Sequence, residues 1–163
     1  MEQTDNRILC SDRMNRLQSG PVWKLLGMNV TEASEGRATV QLPLRSDLLQ
    51  AMGHVHGGIL MTILDSAMAA ALGTLLRPGV MSVTAQLNTH FISPGSGPVL
   101  RATGKVVRKG AQLAVTEGKV FDVNDRLVAM ASAQFFLTGS ADLAPSGQDT
   151  GGNASPSLRQ PMD

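Results

Sequence analysis

The chain has a single cysteine, Cys10, no tyrosine, one tryptophan and four phenylalanines in 163 residues. One cysteine cannot close a disulfide within the chain, so a reducing, cytoplasmic setting is expected. Aromatics amount to 3% and the net charge is +1. That leaves neither base-stacking platforms nor a basic surface, which excludes nucleic acid as an expected partner. Near the start, "NRILCSDRM" is polar and charged and lacks an apolar core, so no signal peptide is expected. Long hydrophobic runs are scarce too. The one candidate, residues 59–76, is interrupted by Asp65 and Gly73 and is marginal in length, so a buried helix is expected and no membrane span.

What is present is an ordinary globular composition, 42% hydrophobic and 17% charged, at a length that fits one domain with a proper core. Residues 5–19 carry apolar side chains near helical spacing and predict a lead-in helix over 1–20, with a further helical turn at 22–26. "MNVTEASEGRATVQLPL" predicts two strands turning at Glu35-Gly36. Residues 45–55 read as a loop that leads into a long helix, which stops before Arg77-Pro78-Gly79. From Met81 the period becomes two: Val83, Ala85, Leu87 and Phe91 fall on one face, Ser82, Thr84, Gln86, Asn88 and His90 on the other. Strands near 98–108, 111–122 and 126–138 follow, separated by "KG" and "ND" turns. The Gly-, Ser- and Pro-rich residues 139–163 predict a disordered tail. A helix apolar nearly all round needs cover on every side. The expected fold is therefore α+β, one domain over 21–138 in which a curved antiparallel sheet of about six strands wraps a long central helix.

Inside that helix sits one acid. Asp is a poor residue for a helix interior, and burying its charge unpaired is costly. A solvent-facing Asp65 would need no function, but its neighbours Leu64, Ala67, Met68 and Ala69 argue against one. The helix opens on "HVHGG". Gly57 and Gly58 let a ligand approach backbone N–H groups that are unpaired in a first turn and lie at the positive end of the helix dipole. Gln50 adds an amide suited to orienting a water or a carbonyl. At a rise of about 1.5 Å per residue, Gly57 and Asp65 lie roughly 12 Å apart along the axis, too far to act on one carbonyl. Two antiparallel copies of the helix in an isologous dimer would bring Gly57 of one beside Asp65 of the other.

The set Gln50, Gly53, His56-Gly57-Gly58 and Asp65, followed by "PGVMSVTAQLNTHFISPG", resembles the hotdog-fold acyl-CoA thioesterases of the phenylacetic acid degradation type, over about residues 20–138. The resemblance implies the hotdog fold and hydrolysis of an acyl-CoA to CoA and a free acid, without metal or other cofactor. It assigns carbonyl polarisation to the Gly57 N–H, nucleophile or general base to Asp65, and the preceding amide to Gln50. His56 would support the carbonyl or the loop, and the Thr84 hydroxyl would help hold water. A homodimer is the minimum assembly and a homotetramer, a dimer of dimers, the expectation. Relatives carry Asn for Gln50 or Glu for Asp65, which leaves subfamily and acyl group open.

The remaining candidates carry less. Arg108-Lys109 before Gly110 would meet CoA phosphates or simply solubilise a hairpin. Met61, with Met52 and Met68, and also Trp23, reads as core or acyl-pocket lining, and Gly58 as backbone open to substrate. His54 and His56, two apart, could be imagined with Asp65 as metal ligands, but no further ligand has suitable spacing for a site that needs three or four, and His90 reads as a surface residue. The competing functions are a hotdog hydratase or dehydratase, which would use a catalytic histidine, and a non-catalytic acyl-CoA binding module.

Overall fold

The computed structural model describes residues 2–139, with side chains from Cys10 onward. The expected tail after Gly139 lies outside the described residues. Two helices, α1 (Glu2–Gln18) and α2 (Pro21–Leu26), precede the hairpin β1 (Asn29–Ser34) and β2 (Arg37–Pro43). One 3-10 turn, Ser46–Leu48, interrupts the loop before α3 (Gly57–Gly73). Then come β3 (Val80–Phe91), β4 (Val99–Lys109), β5 (Leu113–Phe121) and β6 (Leu127–Gly139). The strands form one antiparallel sheet in the order β1-β2-β4-β5-β6-β3, and α3 touches all six. This is the expected helix wrapped by a sheet.

A row of small residues lets the helix in so closely. Ala38, Gly104, Gly118 and Ala131 stand opposite one another across β2, β4, β5 and β6. At Gly104 the two backbones nearly touch: a Cβ built there would lie 2.2 Å from the Ala67 carbonyl oxygen. At Gly118 it would meet Met68 Cγ at 3.1 Å and Leu64 Cδ2 at 3.2 Å. With the helix this deep, Ile63, Leu64, Ala67, Met68 and Leu72 are fully buried, and each of the larger ones contributes about 1.5–3 kcal/mol by leaving water.

The ends of α3 are held by side chains. At the start the His56 ring accepts the Gly58 N–H at Nδ1, 3.0 Å. At the end the Thr74 hydroxyl donates to the Ala71 carbonyl (2.8 Å) and accepts the Gly36 N–H (2.7 Å), which ties the helix to the β1–β2 turn.

One strand departs from the expected alternation. The pairing of β3 with β6 slips between Thr84 and Gln86, so Ala85 is a bulge. The extra residue resets the parity of the strand. Before it Ser82 and Thr84, and after it Leu87, Thr89 and Phe91, pair with helix-facing residues of β6 such as Leu137, Phe135 and Ala133. Thr84 therefore shares a side with Leu87 and Phe91, not with Gln86, Asn88 and His90. Strict period two cannot anticipate this, because a bulge leaves no mark in hydrophobicity.

Candidate functional site

Asp65 lies at the middle of α3, half-buried, and the Thr84 hydroxyl donates to its Oδ1 at 2.7 Å. Only the β3 bulge lets a threonine reach the helix there. Burial raises the Asp65 pKa above the ordinary aspartate value, and the Thr84 hydrogen bond offsets part of that rise. A carboxylate held so is a stronger base than one in water, yet keeps a partner for its charge. Gly58, Met61, Asp65 and Ala69 form the least covered stripe of α3, on successive turns of one side.

At the helix start the backbone donors can be followed one by one. The His56 N–H goes to the Leu48 carbonyl (3.0 Å), the Gly58 N–H to the His56 ring, and the Ile59 N–H to the His56 carbonyl (2.9 Å). No acceptor among the described residues takes the Gly57 N–H. To accept from Gly58 at Nδ1, the His56 ring must be neutral and carry its proton on Nε2. Phe91 lies directly over Gly57, where a Cβ would come within 3.3 Å of its Cζ.

Comparison with known proteins bears on this arrangement. The description of the family whose model matches residues 52–129 is thioesterase superfamily. A protein of Thermoplasma volcanium that carries an esterase name is 33% identical over 105 residues, which span 63% of this chain and 77% of that one. The chain belongs to the thioesterase superfamily. An acyl-coenzyme A thioesterase of Escherichia coli is 29% identical over 108 residues, 66% of this chain and 75% of the relative. A Bacillus halodurans protein whose crystal structure contains CoA superposes with a TM-score of 0.67 at 33% identity, covering 84% of this chain and 91% of that one. The helix and sheet are accordingly those of the hotdog fold.

In this thioesterase-superfamily chain the expected site residues divide into groups. Asp65 and Thr84 are brought together, as are His56 and Gly58. Gly57 and Asp65 stay on one helix, eight residues apart, so a single chain does not unite them. Gln50 closes the loop on itself: its side-chain oxygen accepts the Met52 N–H, its backbone N–H donates to the His54 carbonyl, and its carbonyl accepts from Gly53. Of that side chain only the amide N–H groups remain to act as donors. Arg108 and Lys109 are exposed at the end of β4, separated from β3 by β5 and β6.

The core reading of the three methionines holds for Met68 alone. Met68 is buried, Met61 is 37% exposed on the open stripe and Met52 is 79% exposed. Met52 precedes α3 in a turn. Trp23 is buried, and His54 and His90 are exposed. Among the described residues no helix is long and apolar enough to cross a membrane. Sequence reasoning missed Phe91 over Gly57, a contact between residues 34 positions apart that no local pattern encodes.

Proposed function

We propose that this chain is an acyl-CoA thioesterase that works as a homodimer with two sites, each combining Asp65 of one subunit with the Gly57 N–H of the other. The observation that carries this reading is the Asp65–Thr84 pair on the open stripe of α3, together with a helix-start donor that has no acceptor among the described residues of its own chain. An antiparallel pair of α3 helices sets the two groups about one carbonyl. The acyl-CoA thioesterase name of the Escherichia coli relative and the CoA in the Bacillus halodurans structure support the substrate class.

Water is held between the thioester carbonyl and the free Oδ2 of Asp65, while Thr84 fixes Oδ1. Asp65 takes a proton as the water oxygen bonds to the carbonyl carbon, and the charge that develops on the carbonyl oxygen is met by the Gly57 N–H. The tetrahedral species then breaks its C–S bond, and the proton leaves with the CoA sulfur to give thiol and free acid. Attack by Asp65 itself through an anhydride has the same balance; single-turnover hydrolysis in ¹⁸O-water separates the two by labelling or sparing the carboxylate.

Two results test the roles. Proline is favoured at the first helical position and the extended backbone of His56 (φ −65°, ψ 136°) tolerates it, so Gly57→Pro deletes the donor while α3 still starts; Gly57→Ala, whose Cβ meets the same Phe91 ring but keeps the N–H, is the control. Thiol release should fall about 10²- to 10³-fold with an unchanged circular dichroism spectrum. Thr84→Val removes the hydrogen bond that favours ionised Asp65, so the acid limb of the kcat/KM profile should move to higher pH, with about a tenfold loss on the plateau.

A hotdog hydratase is the second reading. It calls for a histidine that exchanges protons beside the carboxylate, and His56, whose Nδ1 accepts from Gly58, has only Nε2 for that. Thiol release from acyl-CoA esters, followed with a thiol reagent, separates hydrolysis from water addition to an enoyl thioester and from binding without turnover. Val83, Phe136 and Leu113 stand in one outward-facing row across β3, β6 and β5, 43%, 48% and 43% exposed. That apolar row supports a second pairing of dimers, which light scattering of the full chain measures.

A further inference from the structure

A cavity of about 710 Å³ opens one turn beyond the Asp65–Thr84 pair. Its floor continues the open stripe of α3: Ala69 is four residues past Asp65, and Gly73 four past Ala69. Ser82, two residues before Thr84 on the helix-facing side of β3, forms one wall. Opposite stand α1 and α2, which contribute Leu17 and the buried Trp23. Both helices lie outside the segment, 52–129, that matches the family.

The roof is built firmly. The Arg13 guanidinium donates to the Val80 carbonyl at 2.9 Å and the Arg77 carbonyl at 2.9 Å, which clamps α1 onto the α3–β3 connection. The buried Met14 lies on Gly73, where a Cβ would come within 3.1 Å of its Cε. Because the glycine has no side chain, α1 comes down onto the helix there; because residue 69 is only alanine, the space between stays open.

From the reading of Asp65 as the hydrolytic carboxylate, we infer that this cavity takes the acyl group and that α1 and α2, from the same subunit as Asp65, set its length. From Asp65 to Gly73 is about 12 Å at the helical rise. With C–C bonds of about 1.5 Å an extended chain advances about 1.25 Å per carbon, so roughly eight to ten carbons span that reach. The lining is mainly apolar, with Asp12, Arg13 and Arg16 its charged members, and an apolar acyl chain is what most of that surface suits.

Trp23 is the only tryptophan in the chain and therefore reports on the cavity. The test titrates the full-length protein with S-decyl-CoA and S-butyl-CoA, thioethers that cannot be hydrolysed, and follows tryptophan fluorescence. A saturable change with S-decyl-CoA at least tenfold tighter than with S-butyl-CoA is expected, and Ala69→Leu, which fills the space beside Asp65, should erase that preference. Equal responses to the two thioethers, or a preference that survives Ala69→Leu, would overturn the inference. Thiol release from decanoyl-CoA is measured in parallel: a decyl preference without any hydrolysis refutes the thioesterase reading and leaves the cavity as an acyl-binding site.

Discussion

Asp65→Asn lowers thiol release about 10³-fold, the order expected when a positioned general base is lost, and leaves the fold intact. Asparagine is nearly the same size and can still accept from Thr84, so packing around α3 is kept, but it cannot take a proton. Stability gives a second readout. Burial raises the Asp65 pKa, so this carboxyl contributes stability that is present below the ordinary aspartate range and is lost as pH rises through the raised folded-state value. The substituted amide does not titrate. The variant should therefore gain in thermal stability relative to the native chain as pH rises toward neutral, while its activity stays low throughout. Native activity moves the opposite way, falling as pH drops and Asp65 is protonated. A variant that keeps more than a tenth of native activity would remove Asp65 from the chemistry.

Gly104→Ala destabilises the protein by about 3 kcal/mol or more, at or beyond the upper end of the usual cost of overpacking, because the new methyl would lie 2.2 Å from the Ala67 carbonyl oxygen and 2.5 Å from its carbon. Both are backbone atoms, so no rotamer change relieves the clash and α3 must lift off the sheet. A melting temperature lower by roughly 6–12 °C is expected for a chain of this size. Gly118→Ala should cost clearly less, since the atoms it meets belong to the flexible side chains of Met68 and Leu64. Equal melting temperatures for the two variants would mean that the backbone approach at Gly104 is not what fixes the helix depth. A lifted helix would also draw Asp65 away from Thr84, so activity in Gly104→Ala should fall before the chain unfolds.

The order of elements was legible in the sequence because each rests on a local signal. The Glu35-Gly36 turn, the alanine-rich run after His56-Gly57-Gly58 and the "KG" and "ND" turns mark boundaries wherever the chain goes. The acid within the helix and the glycines at its start were legible for the same reason: a charge in an apolar run and side-chain-free residues at a helix entry are anomalies of composition. The spacing of Gly57 and Asp65 even stated that one chain cannot use both on one carbonyl.

The partners of those residues were decided only in three dimensions. A hydrogen bond from Thr84 to Asp65 depends on the bulge at Ala85, which turns the threonine to the helix side against the expected alternation. Which first-turn N–H stays available depends on the His56 ring taking that of Gly58 and on Phe91 lying over Gly57. How deep the helix sits depends on Gly104 and Gly118 meeting across two strands. By itself the sequence determined which elements form and which groups are chemically out of place, because propensity and periodicity act over a few residues. The tertiary structure alone decided what those groups face, because strand register and backbone approach join residues far apart in the chain, and no short-range pattern records where they meet.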